Sequence, residues 1–557
     1  MATIMFMKKI SLFSRMTVLF VMLAGAMASH ADPITVSIEP LTFTLQGDTA
    51  ILTDCTFWYD HTYPEAEIVI PESIDYEGRS YTVTEIGKKA LDGITWVTSL
   101  VLPNTIKSIG DSAFHNCIQI KSFYLDKHVT HVGQGAFINC DKLTSLVVDP
   151  ENPVYDSRDS CNAIIETATN KLTHGCGTST VPYGIKTIGR QAFAYCKQLK
   201  NITLPNTVKT IEYCAFQLSG LRNIVFSDSL ERIEGYAFVT NAGLSRVTLP
   251  ATVTYIGEWA FALTMLDYIS IGSNNVYFSA GTNCIIERST MSIIAGSRYS
   301  YIPYDYNIKR IAPAAFAGCI YTTDLCLPRG VTEVGEYAFY KCFRAYEINI
   351  PEGVTTIGNY AFCECHDAWR LNIPSTLTEI GTGVFQDCQS LRTITIPDNI
   401  QHIGKDAFNH CANLRDLTLG TGVQVIDDNA FGRCDSINTI TCKAEVPPVM
   451  ASSNCFSNPD CYERATLYVP SKSVNAYKNT DYWNLFFSTL GNTPSDVDGD
   501  GTIGIADVSV MIEALLSGNT SSIVMQNADL SGNGILDIAD LAALIDVILA
   551  STSTSND

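Results

Sequence analysis

What the sequence lacks narrows its function first. Lysine and arginine total 36 against 57 aspartates and glutamates, a formal charge of −21. Binding a phosphate backbone needs clustered cations, so no nucleic-acid partner is expected. After the first 31 residues no apolar run is long enough to cross a bilayer, and the mature chain is expected to carry no transmembrane segment. The nine histidines are scattered. No His-Glu-x-x-His occurs, and no Gly-x-Ser-x-Gly, phosphate-binding glycine loop or dinucleotide fingerprint falls in a strand-turn-helix setting. No catalytic residue stands out, and the chain is not expected to be an enzyme.

What is present begins with an export signal. Lys8, Lys9 and Arg15 precede an apolar run from Met16 to Ala28, with small residues at Ala26, Ala28 and Ala31. Residues 1–31 read as a signal peptide, cut after Ala28 or Ala31, so the protein is expected to be secreted or at the cell surface.

Most of the remainder repeats. The unit is roughly Ile-Gly-x-x-Ala-Phe-x-x-Cys-x-x-Leu-x-x-Ile-x-Ile-Pro, seen plainly from Ile403 to Leu419. Its aromatic falls at Phe114, Phe137, Phe193, Phe216, Phe238, Phe261, Phe316, Phe339, Phe362, Phe385, Phe408 and Phe431, with Leu91 before them. The step is 23 residues nearly everywhere, 22 once, and 55 or 56 at two places. A fixed period of this length means a solenoid. In Asn201-Ile202-Thr203-Leu204-Pro205 apolar and polar residues alternate, which makes a strand buried on one face and closed by proline. A second short strand follows at Val208–Ile211, and Ala215-Phe216 opens a tight helical or 3₁₀ turn that drops its ring into the core. Stacked coils then form parallel ladders about 4.8 Å apart. Residues 32–80 lack the repeat but alternate over Ile34–Ile38, Leu41–Leu45 and Ala50–Leu52, as expected of an N-terminal β cap.

This repeat resembles the leucine-rich repeat of the BspA-like bacterial surface proteins over residues 81–443. The enlarged coils near 149–180 and 272–302, each read as one added hairpin, fit that family too. Residues 444–490, with Tyr477 and Trp483, are similar to its closing cap. The resemblance implies a mainly β solenoid of 23-residue coils and adhesion to matrix or to other cells.

Nineteen cysteines on an exported chain invite disulfides. Nine of them, however, sit three residues after the repeat aromatic, as Cys342 follows Phe339. In-register side chains point the same way, which denies them the Cβ geometry of a bridge. They are expected to be buried free thiols that donate weakly to turn carbonyls. Bridges are more readily expected in the irregular parts, between Cys161 and Cys176 and between Cys455 and Cys461. Cys363-Glu364-Cys365-His366 has the look of a metal ligand set, but Cys365 belongs to the ladder.

The wet strand positions are mostly Ser, Thr and Asn. Threonine suits a pleated strand on its own account, and a broad polar face also suits a protein or glycan ligand. Tyr124, Arg246, Tyr268, Glu347 and Arg370 interrupt it and are the candidate contact residues.

After a linker at 491–495 comes the sharpest motif. Asp496, Asp498, Asp500, Thr502 and Asp507 occupy positions 1, 3, 5, 7 and 12 of a twelve-residue loop. Thirty-three residues on, Asp529, Ser531, Asn533, Ile535, Asp537 and Asp540 repeat the pattern at positions 1, 3, 5, 7, 9 and 12. Side-chain oxygens with a position-7 carbonyl are what Ca²⁺ requires of such a loop. Two Ca²⁺ sites are expected, the first stronger because it has more carboxylates. A helix is expected after each loop, through Val510, Ile512, Leu515 and Leu516 and through Leu541, Leu544, Ile545 and Ile548.

Paired loop-helix units without entering helices resemble a type I dockerin, here residues 496–557. That resemblance implies a cohesin-like receptor. Positions 10 and 11, which carry recognition in that family, are Ile505-Ala506 and Ile538-Ala539 rather than hydroxyl-bearing pairs. The combined reading is a secreted, non-catalytic binding or adhesion protein whose solenoid engages an extracellular protein or glycan and whose Ca²⁺ module docks it to a surface or scaffold. The alternative is a carbohydrate-binding or structural part of a dockerin-organised polysaccharide-degrading complex.

Overall fold

The computed structural model describes residues 33–55, 66–300, 302–303, 307–456, 459–491, 495–499, 502–531 and 534–553. The expected export signal, residues 1–31, lies outside them. The chain divides into two compact units, residues 1–241 and 242–557.

In the first unit the strands Thr35–Ile38, Leu41–Gln46 and Thr49–Cys55 form an antiparallel meander. Phe43, Leu45 and Leu52 point inward. Thr49–Cys55 then pairs in parallel with Arg79–Ile86, which pairs in parallel with Ser108–Ile109. The cap therefore hands its edge directly to the repeat ladder.

Each coil has two strands. Ser122–Leu125 exposes Ser122 and Tyr124, buries Phe123 and Leu125, and pairs in register with Ser145–Val148 one coil on. The shorter Ser108–Ile109 pairs with His131–Val132. The turn between them makes i→i−3 bonds, Ala113 N–H to Gly110 O and Cys117 N–H to Phe114 O, both at 3.2 Å. The alternate N–H of Phe114 goes to Ala136 O in the next coil at 2.9 Å. Ser112 and Asn116, two residues either side of Phe114, have φ of 55° and 61°. Left-handed residues stop the i→i−3 bonds from propagating, so the turn is 3₁₀-like without becoming a helix.

The phenylalanines stack coil on coil. Phe193, Phe216 and Phe238 have centroids 5.1 and 5.2 Å apart with rings within 4° of parallel. In the second unit the column runs from Phe316 through Phe339, Phe362, Phe385, Phe408 and Phe431 to Phe456. Most of these rings are fully buried, each contributing about 1.5–3 kcal/mol of hydrophobic stabilisation.

All nineteen cysteines are free thiols. Six of the nine ladder cysteines donate to the phenylalanine carbonyl 26 residues earlier, among them Cys342 to Phe316 at 3.3 Å, Cys365 to Phe339 at 3.5 Å and Cys434 to Phe408 at 3.2 Å. Burial pushes the Cys117 and Cys342 thiols up to about 12, so they stay protonated and unreactive. The bridges expected at Cys161–Cys176 and Cys455–Cys461 do not form. Cys161, Cys176 and Cys455 instead donate to Ala163 O, Asn162 O and Ile426 O, each filling a turn as the ladder thiols do. No metal set forms at residues 363–366 either, since Cys365 points into the core and His366 stacks on Phe343 at 4.8 Å.

The two enlarged coils are three-stranded meanders rather than single hairpins. Tyr155–Asp156, Ala163–Glu166 and Lys171–Gly175 pair antiparallel in order, and Phe278–Gly281, Cys284–Glu287 and Ser292–Gly296 do the same. Each third strand rejoins the parallel ladder, at Thr187–Ile188 and at Arg310–Ile311. The repeat array of the second unit ends in parallel strands Thr439–Cys442, Thr466–Val469 and Ser488–Gly491. Tyr477 and Trp483, both fully buried, cover the last coil and hydrogen-bond Ala444 O and Pro448 O. No helix among the described residues is long and apolar enough to cross a membrane.

Candidate calcium site and binding surface

The helices Ile505–Ser517 and Ile538–Ser553 each follow one acidic loop, with a short helix Met525–Ala528 between them that periodicity did not reveal. Met511, Ala514 and Leu544 pack with Val497 and Ile523 into a small core. Ile512 and Leu516, on the expected apolar-periodic helix, are 40% and 84% exposed. The helix instead turns Met511 and Ala514 toward its partner.

Asp507, in the first turn of its helix, reaches back into the first loop. One of its oxygens, Oδ1, accepts the N–H of Val497 at 2.5 Å and of Asp498 at 3.2 Å, while Oδ2 accepts Gly504 N–H at 2.7 Å. This fixes the carboxylate at the helix N-terminus, where negative charge is favoured. Asp496, Asp498 and Asp507 thereby bring ligand oxygens within 4.8 Å of one another, and Asp496 and Asp507 are wholly buried. Like charges taken out of water this close together are strongly unfavourable without a cation. The all-oxygen donor set fits a hard divalent ion such as Ca²⁺. Thr502 is exposed, and Asp500 lies outside the described residues.

The second loop repeats the scaffold. Asp540 Oδ1 accepts Ser531 N–H at 2.8 Å and Oδ2 accepts Asp537 N–H at 2.9 Å. Burial opposes its ionisation, but the N–H groups of Asp537, Ser531 and Leu530 outweigh it and hold the carboxyl below the usual range. Asp529 accepts Gly534 N–H at 2.7 Å and Ser531 Oγ at 3.3 Å, while Asp537 accepts Ala539 N–H. Ile535 is exposed, and Asn533 lies outside the described residues. Among the described residues, the three-carboxylate group forms in the first loop alone.

One contact was not legible in the loop motif. Ser471 Oγ, in the closing cap, donates to Asp496 Oδ2 at 2.7 Å. Buried Asn527 donates to Gly491 O and to Asp496 O, both at 2.7 Å. The first loop is thus tied to the last strand of the repeat array.

Four of the five solenoid candidates come together as two pairs within the second unit. Tyr124 is 54% exposed in the first unit, on Ser122–Leu125. In the second, the Arg246 guanidinium lies 4.9 Å over the Tyr268 ring on the neighbouring strand. Arg370 reaches Glu347 at 3.9 Å, again one coil apart. These are cross-strand pairs of exposed side chains.

Parallel coils stacked on a buried phenylalanine column, ending in a paired-loop helical module, define a leucine-rich-repeat solenoid with a calcium-module tail. The model of the BspA type leucine rich repeat region matches residues 72–161, 165–287, 295–404 and 355–482, and the chain belongs to that family. The dockerin type I domain model matches residues 494–549, a domain that implies Ca²⁺ binding. Among solved structures, a leucine rich cell surface protein from Faecalibacterium prausnitzii is 24% identical, with 74% of this chain and 96% of that one covered and a TM-score of 0.42. The pneumococcal vaccine antigen PcpA is 19% identical, with 83% and 99% covered and a TM-score of 0.44. A leucine-rich repeat protein from Bacteroides ovatus is 20% identical, with 80% and 97% covered and a TM-score of 0.37. No curated protein matches.

Proposed function

We propose that this is a secreted, non-catalytic binding protein whose solenoid engages an extracellular protein or glycan and whose Ca²⁺-loaded tail docks it to a surface or scaffold. The observation that carries the docking half is the exposure of Ile505 and Ile538, 80% and 78%, at the same position of the two loops. Ala506 and Ala539 beside them are exposed as well. Two equivalent apolar pairs, each held at the start of a helix, are exposed apolar patches that water solvates poorly, as partner-binding surfaces are. With apolar side chains where a hydroxyl-bearing pair is usual, the receptor is cohesin-like in role and apolar in its contact.

The binding half rests on the polar strand positions that every coil presents. Regular coils repeat one surface from rung to rung. Asp496, Asp498, Asp500, Thr502 and Asp507 hold the stronger Ca²⁺, and Asp529, Ser531, Asn533, Ile535, Asp537 and Asp540 a weaker one. The N-terminal segment directs export. The test is a glycan and matrix-protein array probed with the full chain in Ca²⁺. Specific retention of one ligand class supports the reading; retention of none, with turnover of an arrayed glycan or protein, defeats it.

A further inference from the structure

Long-strand ladders break at ordinary coil spacing after Val97–Val101 and after Asn223–Val225, but within the second unit the regularity fails once without an insertion. In the second unit the long-strand ladder runs through Glu347–Asn349 to Arg370–Asn372 and stops, and the next sheet begins at Thr393–Thr395 and continues to Asp416–Leu419. The short-strand ladder stops at the same coil, after Thr356–Ile357 and before Glu379–Ile380. The other ladder breaks of this unit coincide with its inserted meander, whereas Phe362 and Phe385 are the ordinary 23 residues apart. The turn side stays closed, with Phe362 N–H donating to Val384 O at 2.9 Å. The rings there separate to 5.6 Å, against 5.2 and 5.3 Å on either side. The coils part as a wedge that opens on the strand face.

That opening is a cleft of about 970 Å³, with Trp369, Arg370 and Asn372 on one lip and Arg392 and Thr395 on the other. Trp369 and Arg392 also line an adjoining hollow of about 580 Å³, with Tyr346 and Arg415. Trp369 is 52% exposed and Tyr346 42%. The four residues Tyr346, Trp369, Arg392 and Arg415 are spaced 23 apart, each just ahead of its strand, so two aromatics and then two arginines sit on successive rungs. Arg79, Arg158, Arg232, Arg298, Arg310 and Arg370 each reach a carboxylate. Arg392 and Arg415 form no ion pair among the described residues, although the chain carries a charge of −21.

We propose that this cleft binds an acidic glycan, with a uronate or sulfate group on Arg392 and Arg415 and a sugar face on Trp369. The inference rests on the proposed ligand-binding role of the solenoid and names its site and ligand class. A guanidinium donates in a fixed fork that matches carboxylate and sulfate geometry. An exposed indole offers a flat apolar face to the C–H side of a sugar ring. At the other end of the strands Glu352 and Asp398 already accept bonds from Ser375 Oγ and Thr421 N–H. They provide acceptors for sugar hydroxyls there, so the acidic sugar sits at the arginine end. Asp367 also lines the smaller hollow. A protein ligand would want an apolar centre free of charge; here Leu371, Ile373, Ile394 and Pro397 share the lining with Arg370, Arg392, Glu352, Asp398 and several Asn, Thr and Ser side chains.

The experiment is calorimetric titration of the full chain with a short oligogalacturonate, a heparin-derived hexasaccharide and a neutral cello-oligosaccharide, at low and high salt. One acidic probe, carboxylate or sulfate, is expected to bind about tenfold or more tighter than the neutral one and to weaken with salt. Trp369→Ala and the pair Arg392→Ala/Arg415→Ala should each weaken it about tenfold, since charge-assisted and stacked contacts are lost. These side chains are exposed, and an unchanged melting temperature verifies folding. Arg222→Ala, an exposed arginine of the other unit, should change nothing. Equal binding by wild type and the Trp369/Arg392/Arg415 variants overturns the site and leaves the broader role standing. Equal affinity for the neutral probe overturns the arginine assignment. Binding of an acidic peptide through these residues, with no glycan bound, overturns the ligand class. An array on which no ligand of any class is retained removes the broader role itself.

Discussion

Asp496 carries two duties in this account, since it is the proposed first ligand of the acidic loop and accepts a hydrogen bond from Ser471 of the cap. The first duty is legible from spacing alone, because a twelve-residue wrap fixes which positions need oxygen. The second depends on where the chain folds back, which no local pattern encodes. Asp496→Ala is expected to weaken Ca²⁺ binding about tenfold or more, with loss of the helix gained on titration, because a buried charged ligand is removed. Calorimetry and circular dichroism measure it, and an unchanged isotherm contradicts the assignment. His174 was not legible at all. It lies fully buried, bonded to Gly133 O at 3.1 Å and edge-on to Phe137. Burial lowers its pKa from 6.5 to about 4. Between those values the unfolded chain binds the proton and the folded protein does not. Its contribution is therefore intact above 6.5 and is lost as the pH falls toward 4, by up to about 3 kcal/mol. Denaturant melts at pH 7 and 4.5 should show a steeper loss for wild type than for His174→Gln; parallel losses contradict it.

At the scale of elements, strand and turn positions followed from alternation and from the phenylalanine step, because in-register stacking repeats every constraint once per coil. The enlarged coils were legible as insertions but not as three-stranded meanders, since the third strand earns its place by rejoining a ladder formed elsewhere. Its last residue shows the constraint. At Gly175 a Cβ would meet the Phe193 ring at 2.0 Å, and at Gly296 the Phe316 ring at 2.4 Å. Gly175→Ala is expected to cost about 1–3 kcal/mol through overpacking, read by denaturant unfolding. A variant as stable as wild type would mean the ring has room to shift. The helices themselves were legible but their inward faces were not: Ile512 and Leu516 are apolar yet outward, in a module whose exposed apolar residues also include Ile505, Ile538 and Leu549. Period alone does not tell a core-facing stripe from a docking face. The cleft at Trp369 was equally hidden, since its coil keeps the 23-residue step and nothing in the spacing marks the missing ladder bonds.

At the scale of the whole molecule, the chain joins a long array of identical neighbour contacts to a small module whose core is only a handful of side chains. Stability of the array is the sum of coil and coil-to-coil terms. The module is proposed to depend on Ca²⁺, because the buried carboxylates of its first loop are costly without a cation. The division of labour was readable because repeat and loop motifs are each local and periodic; the ligand and the receptor were not, because recognition lies in the exceptions to the period. The most direct test of the account is capture of envelope components from the producing cell on the immobilised full chain, comparing wild type with Ile505→Ser/Ile538→Ser, each with and without a Ca²⁺ chelator. The account predicts a partner retained by wild type in Ca²⁺ and lost both with chelator and in the double variant. Retention indifferent to both, or no retained partner at all, would contradict it.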